Sequence, residues 1–232
     1  MKLSNRLQKI ADFVPKNTIV GDIGCDHGYI PIYLAKNNIS KKVIASDISK
    51  NSLEKTIENV KINNLEKDIE IRLGDGLDIV LPFEIDTVII AGMGGLLIKD
   101  ILDKNKTKTN TITHFILQPN IASKELREYL YENNFEIINE ELAMEGDKFY
   151  EIIYAKKGKG FVTKDIYYEI GEKLIINENP LLKEFINYKI NIVEGILIEL
   201  KGVKTEKSIK RQEELNKNLM DLKEVLLEIE SS

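Results

Sequence analysis

Residues 18–31 read Thr-Ile-Val-Gly-Asp-Ile-Gly-Cys-Asp-His-Gly-Tyr-Ile-Pro: an apolar run meets an acid, then a glycine turn, then a segment with Pro31 where the first turn of a helix belongs. That order suits a nucleotide-cofactor loop. Gly24 and Gly28 let the backbone pass close to a ligand where a Cβ would collide, and the helix N-terminus behind them presents unpaired N–H groups suited to an anionic group. The dinucleotide fingerprint G-x-G-x-x-G does not fit, because Ile23 stands two residues after Gly21 and Asp26 two after Gly24. This counts against a dehydrogenase. An ordinary tight strand-to-helix turn is the alternative reading of the segment. Cys25 sits where a small residue is needed, and nothing near it argues for a nucleophilic thiol.

Three further groups follow downstream. Asp47, next to Ile48, ends a second apolar run 23 residues after Gly24, where a carboxylate can accept both ribose hydroxyls; it also suits the start of a helix through the macrodipole, and both readings can hold. Gly74-Asp75-Gly76 places a short acid between glycines, which fits an adenine edge and is also a common turn. Ala91-Gly92-Met93-Gly94-Gly95 has three glycines in four positions, too many for a plain loop, at the expected carboxyl end of a strand, where open α/β sheets bind ligands. Gln118-Pro119-Asn120 is a polar loop of the same kind or the turn leaving the fifth strand.

The elements that must hold these groups come from hydrophobic periodicity. Short Val- and Ile-rich runs predict strands at 18–23, 42–46, 69–73, 87–91, 114–118, 135–141 and 149–155, alternating with amphipathic segments, which is the pattern of βα units on a mostly parallel sheet. The clearest helix is 49–63, with Ser49 as cap and Leu53, Ile57 and Val60 on one face. The last two strands are joined by Met144-Glu-Gly-Asp147, too short for a crossover, so they form an antiparallel hairpin. A polar, glycine-containing linker follows at 155–160. Beyond it no strand is expected: Pro180 suits a helix start, Leu182, Ile186, Val193, Ile196, Leu200 and Val203 recur at helical spacing, and Leu215, Leu219, Leu222, Leu226 and Ile229 form a heptad seam. The expectation is a domain at 1–158 and a helical coiled-coil arm at 159–232.

Composition narrows the function. The 232 residues, 43% hydrophobic and 31% charged, suffice for a buried core and exclude a disordered chain. No apolar run reaches the ~18 residues of a membrane span, and the N-terminus lacks the stretch of a secretion signal, so a cytoplasmic location is expected. One cysteine rules out a cysteine-based zinc site, and with two histidines, His27 and His114, a metal site would have to rest mainly on carboxylates; no metal is expected. His114 fits a strand start better than catalysis. A net charge of −5 gives no general attraction to nucleic acid, so an RNA partner would need a local basic patch. Lys201, Lys204, Lys207, Lys210 and Arg211, near the break between the last two helices, and Lys156, Lys157 and Lys159 in the linker are the candidates. A solvated helix end is the alternative for the first group, since 161–232 holds 11 basic and 14 acidic residues.

The spacing D-x-G-x-x-x-G resembles motif I of class I methyltransferases. Together with Gly-Asp-Gly-Leu at 74–77, Ala-Gly-Met-Gly-Gly at 91–95 and Leu-Gln-Pro-Asn at 117–120, the segment Asp-Ile-Gly-Cys-Asp-His-Gly-Tyr-Ile-Pro at 22–31 is similar to the bacterial tRNA adenine-N1 methyltransferases that modify adenine 22. The resemblance spans nearly the whole chain, the C-terminal hairpin in pattern more than in sequence. It implies a Rossmann-like class I sheet of seven strands with the last antiparallel, S-adenosyl-L-methionine as donor and tRNA as substrate. It implies a cofactor set of Asp22, Gly24, Cys25, His27, Gly28, Asp47, Ile48, Gly74, Asp75, Gly76, Gly92 and Met93. Asp26, His27, Tyr29 and Asn120 become the catalytic candidates: Asp26 and Asn120 to accept from the exocyclic amine, Tyr29 to stack or close the pocket, His27 to anchor the methionine carboxylate or position the base. Asp26 as a helix cap and His27 as a hydrogen-bonded loop residue are the alternatives. Gly94, Gly95, Gln118, Pro119 and Asn120 would meet the target nucleotide, and Lys204, Lys207 and Arg211 the tRNA. A methyltransferase acting on another RNA or a small molecule, or a non-catalytic RNA- or protein-binding module on the same fold, stays open at this point.

Overall fold

The structure is a computed structural model, which describes residues 2–231. The chain divides into two compact units, Met1–Phe161 and Val162–Ser232. The first opens with helix α1 (Asn5–Asp12), followed by β1 (Thr18–Ile23), α2 (Tyr29–Lys36), β2 (Ser40–Asp47), α3 (Lys50–Ile62) and β3 (Ile69–Leu73). A single 3-10 turn (Gly76–Ile79) leads to β4 (Thr87–Gly94), α4 (Gly95–Lys104), α5 (Lys106–Thr109), β5 (His114–Ile121), α6 (Ser123–Glu132), β6 (Phe135–Glu145) and β7 (Lys148–Lys157). The seven strands form one sheet in the order β3-β2-β1-β4-β5-β7-β6, parallel except for β7, which runs antiparallel to both β5 and β6. Gly146, at φ +60°, takes the first position of the two-residue turn that joins β6 to β7.

Both faces of the sheet are covered, which is why its central strands are continuous apolar runs instead of alternating ones. On one side Val88, Ile90, Phe115 and Leu117 pack with Ile98, Leu102, Leu126 and Leu130 of α4 and α6. On the other, Val20, Val43, Ile89 and Ile116 pack with Ile10 of α1, Ile32 and Leu34 of α2, and Leu53 and Val60 of α3. Consecutive residues Val88, Ile89 and Ile90 thus feed alternate layers, as a period of two demands. Arg127 of α6 is buried between Glu140 of β6 (2.7 Å) and Glu151 of β7 (2.6 Å), tying helix to hairpin. The Ser49 hydroxyl caps α3 by accepting from Ser52 N; Thr56, not Ile57, completes the buried face with Leu53 and Val60.

The second unit is helical: α7 (Ile166–Ile170), α8 (Glu172–Ile176), α9 (Leu182–Glu199) and α10 (Glu206–Ser231). Helices α9 and α10 pack antiparallel, so Lys183 early in α9 meets Glu230 late in α10, and Glu194 meets Lys223. Leu182, Ile186 and Val193 are buried on α9, together with Phe185 and Ile190, whereas Val203 lies exposed in the connecting turn. On α10, Leu215, Leu222 and Val225 are buried, while Leu219, Leu226 and Ile229 are half-covered. Pro180 falls two residues before α9 instead of inside its first turn. Among the described residues no helix is long and apolar enough to cross a membrane.

Candidate functional site

The order of strands reverses at the β1–β4 boundary, and the loops leaving the carboxyl ends of those strands diverge there into a crevice. A cleft of about 520 Å³ occupies that place, lined by Asp22, Gly24, Cys25, Asp26, His27, Tyr29, Asp47, Gly92 and Asn120, with Arg6, Leu7, Ile30, Ala91 and Tyr150 completing it. Nine of the residues expected from the sequence therefore share one wall system, contributed by β1 and the loop after it, the start of α2, and the ends of β2, β4 and β5.

The loop from Gly24 to Gly28 is held from below by α3. Gly24 and Gly28 adopt φ of +77° and +71°, and Asp26 between them takes +47°, a conformation aspartate tolerates better than most residues. A Cβ on Gly28 would come within 2.7 Å of Thr56 Cγ2. The Thr56 hydroxyl donates to the Asp26 carbonyl, and Asn59 Nδ2 donates to the His27 carbonyl at 3.0 Å. Gly28 itself occupies the N-cap of α2 with no side-chain cap, so Asp26 does not serve as that helix's cap and its carboxylate is exposed at the rim. His27 stacks on Tyr29, with ring centroids 5.3 Å apart and planes 11° from parallel, and its Nε2 stands 3.6 Å from Asp26 Oδ2.

Asp47 is oriented by two backbone donors: Ser49 N to Oδ1 at 2.8 Å and Asp26 N to Oδ2 at 3.3 Å. The carboxylate thus shapes the start of α3 and ties β2 to the glycine loop, and the residue lines the cleft. Asp22 is buried beside it. Burial, reinforced by the charge of Asp47, pushes the Asp22 carboxyl up to about 7. Burial and then the neighbouring Asp22 charge push the Cys25 thiol up to about 12, so it stays protonated and is no nucleophile. The cleft gathers the Asp26 and Asp47 carboxylates, with the partly protonated Asp22 beside them, against the single guanidinium of Arg6 and suits a cationic ligand.

The β4 and β5 ends are stitched together by a short hydrogen-bond circuit. In the ladder Ala91 pairs with Gln118, Met93 with Pro119 and Gly94 with Ile121, so Gly92 and Asn120 are each left outside the pairing and turn to the cleft. Gln118 Oε1 accepts from Arg6 Nη1 (2.6 Å) and Gly92 N (3.2 Å), Gln118 Nε2 donates to Asn120 Oδ1 (3.1 Å), and Asn120 Nδ2 donates to Gly92 O (2.8 Å).

Other expected residues stand elsewhere. Gln118 and Pro119 are buried beneath the rim, and Met93 packs under Gly24, its Cε only 2.4 Å from where a Cβ there would lie. Gly94 lies against Ile121, and Gly95 is pressed to the β5–α6 turn, where a Cβ would come within 2.2 Å of the Ala122 carbonyl oxygen. Packing explains Gly95 without a ligand. Ile48 is exposed beyond Asp47. Gly74 fits against Ile79, while Asp75 and Gly76 line a separate shallow hollow with Leu97, Asp100, Ile101, Lys104 and Asn105, where Lys104 Nζ pairs with Asp75 at 3.1 Å and Asp78 at 3.0 Å. Lys204, Lys207 and Arg211 belong to the second unit, exposed around the α9–α10 turn, with Arg211 3.4 Å from Glu214. Among the described residues no group of three or more His, Cys, Asp or Glu side chains is placed to hold a metal ion. Arg6 and Tyr150 were not foreseen. Strand alternation with Ile152 would have put Tyr150 on the α1 side of β7, but no local pattern marks Arg6, which meets Gln118 across 112 residues of chain.

Comparison with known proteins agrees with this geometry. Residues 3–153 match the family model described as a methyltransferase domain. The tRNA (adenine(22)-N(1))-methyltransferase of Bacillus subtilis (strain 168) is 31% identical over 97% of this chain and 98% of its own length. A Streptococcus pneumoniae protein solved in complex with S-adenosyl-L-methionine superposes with a TM-score of 0.87 at 29% identity, covering 97% of this chain and all of that one (100%). M. capricolum TrmK, solved with the cofactor product S-adenosyl-homocysteine, superposes with a TM-score of 0.83 at 29% identity, covering 97% of this chain and 98% of that one. With the domain model matching most of the first unit and the Bacillus relative matching nearly end to end, the chain belongs to the tRNA (adenine(22)-N(1))-methyltransferase family.

Proposed function

We propose that this chain transfers a methyl group from S-adenosyl-L-methionine to N1 of adenine 22 in tRNA, the reaction for which its Bacillus relative is named. The observation that carries the reading is the convergence of Asp26 and Asn120, from the ends of β1 and β5, on one acidic cleft at the switch point of the sheet. The cofactor fits the residues present. The cleft's volume lies within the ~300–1,000 Å³ of small-molecule sites, Gly24 and Gly28 at positive φ keep side chains off the loop, and the Asp26 and Asp47 carboxylates, with Asp22 able to ionise beside them, suit a ligand of net positive charge. Bound there, its sulfonium supplies an electrophilic methyl group.

The chain's own residues then bind and orient. Asp47, already fixed by two backbone N–H groups, accepts from the ribose hydroxyls; the 24–28 backbone lies along the methionine portion, and His27 meets its carboxylate. Gly74, Asp75 and Gly76, at the end of the neighbouring strand, are assigned to the adenine side. No strong base is required, since N1 of the target adenine carries its own lone pair, and positioning within attack distance is the main task, worth up to ~7–11 kcal/mol. Asp26 and the Asn120 amide oxygen accept from the exocyclic amine and stabilise the positive charge that develops on the base. Tyr29, stacked on His27, offers a face for the base. Exposing a base held in folded tRNA costs a few kcal/mol, which contacts from Lys204, Lys207 and Arg211 on the arm and from the 156–159 lysines offset. We assign cofactor binding to 1–158, the arm to 159–232, and the site of action to the cytoplasm.

Asp26→Asn and Asn120→Ala test the site. Both should keep cofactor affinity by calorimetry but lose ~10²–10³-fold in single-turnover methylation at saturating donor and tRNA. Rates within about threefold of wild type for both would remove these assignments.

A further inference from the structure

Arg6 is the cation of the cleft, yet a cation is the wrong partner for a base that becomes positively charged as it is methylated. Its guanidinium is engaged otherwise: Nη1 donates to the fully buried Gln118 Oε1 at 2.6 Å, and the group lies 5.1 Å from the Tyr150 ring centroid. The backbone N–H of Arg6 donates to Glu145 Oε1 at 2.9 Å, which seats α1 against the end of β6.

We infer that Arg6 is a positioning residue for target-base recognition, acting through Gln118 to hold the Asn120 amide oxygen steady toward the base. The inference rests on the role given to Asn120 above. Arg6 Nη1 and Gly92 N are donors without acceptor capacity, so the oxygen of the Gln118 amide, not its nitrogen, must face them. The nitrogen then faces the other way and donates to the Pro119 carbonyl at 2.9 Å and to Asn120 Oδ1, while Asn120 Nδ2 is taken by the Gly92 carbonyl. An amide oxygen accepts two hydrogen bonds, so Asn120 Oδ1 keeps one acceptor site for an amine entering the cleft. Without Arg6 the amide loses its shortest contact, and the 3.2 Å contact from Gly92 N and the 2.9 Å bond from Gln118 Nε2 to the Pro119 carbonyl are what still hold Gln118. A Gln118 that shifts or flips would withdraw its donor from Asn120 Oδ1 and leave the bond to the Gly92 carbonyl alone to hold that amide against the incoming exocyclic amine. The unpaired positions of Gly92 and Asn120 in the β4–β5 ladder make this circuit possible, since neither backbone is committed to the sheet there.

A mutant cycle tests the relay. Single-turnover rates at saturating donor and tRNA are measured for Arg6→Ala, Asn120→Ala and the double variant, with cofactor affinity measured by calorimetry. Arg6→Ala alone should slow methylation by about 10- to 100-fold with cofactor affinity preserved. In the Asn120→Ala background the same change should cost less than about threefold, because the group it orients is gone. Arg6→Lys, which keeps a donor for Gln118, should recover most of the lost rate. Equal losses in both backgrounds, or no recovery with lysine, would overturn the relay while leaving the role of Asn120 intact. A wild-type rate for Asn120→Ala would instead overturn the role of Asn120, and the relay with it. If Arg6→Ala does not fold, Gln118→Glu takes its place in the cycle with the same expectation: it keeps an oxygen toward Arg6 and Gly92 but removes the donor to Asn120.

Discussion

Asp22 is the acid on which the electrostatic account of the cleft is easiest to break. Its carboxyl is raised from an ordinary 3.8 to about 7 by burial and by Asp47, so between those values the folded chain holds a proton that the unfolded chain has released. The sign follows: this group favours folding at low pH, and the contribution is lost as pH rises through about 7. At about 1.36 kcal/mol per pK step, the rise bounds the cost of ionising Asp22 in the fold at about 4 kcal/mol. Asp22→Asn removes that cost. Even half of the bound, at roughly 2–4 °C per kcal/mol for a chain of this size, is a gain of about 4–8 °C in Tm for the variant over wild type at pH 8 relative to pH 5. Taking the difference between the two proteins cancels the histidines, which titrate in both. A cationic ligand should reverse the balance, because it favours the ionised acid. Wild-type affinity for S-adenosyl-L-methionine should therefore strengthen as pH rises through 7, while the variant binds more weakly and with little pH dependence. Thermal melts at the two pH values, with and without cofactor, read both effects. Parallel Tm profiles for the two proteins would refute the reasoning.

Asp47→Ala should weaken cofactor binding by about 1.5–3 kcal/mol through lost hydrogen bonds to a charged acceptor, and unchanged calorimetric affinity in the folded variant would remove Asp47 from the ribose site. Gly95→Ala should lower stability by about 1–3 kcal/mol in urea unfolding, because its Cβ would meet a backbone carbonyl that cannot swing aside; a neutral change would restore a ligand-based reading of that glycine. Removing 162–232 should leave cofactor affinity of the first unit within about threefold and abolish tRNA methylation, since every strand of the sheet precedes that boundary. Full activity in the truncated protein would show the arm to be dispensable.

The strands at 18–23 and 69–73 were legible to the residue: the first is a largely apolar run, the second (Ile-Glu-Ile-Arg-Leu) alternates with period two, and both are bounded by residues that break strands. The fourth and fifth run three residues longer than periodicity suggests, to Gly94 and Ile121. Their extensions contain the two positions outside the ladder, where Gly92 and Asn120 mimic loop residues. Helices α7 and α8, of five residues each, are too short for a helical period to register. Within the cleft, the residues of the glycine loop and Asp47 could be read locally, since turn chemistry and strand ends declare themselves over a few positions. Arg6 could not. Its partner lies 112 residues away, and only the packing of α1 on the sheet brings the two together. Asp75 was legible from its turn residues, but its pairing with Lys104, 29 residues further on, was not.

The account turns on where the methyl group goes. Unmodified tRNA carrying adenine at position 22, and the same tRNA with guanine there, are incubated with the protein and labelled S-adenosyl-L-methionine, and the product is digested and mapped nucleoside by nucleoside. The account predicts label only as N1-methyladenosine at position 22 of the first tRNA, and none in the second. Label at another nucleotide, at another atom of adenine, or equally in both tRNAs would contradict it.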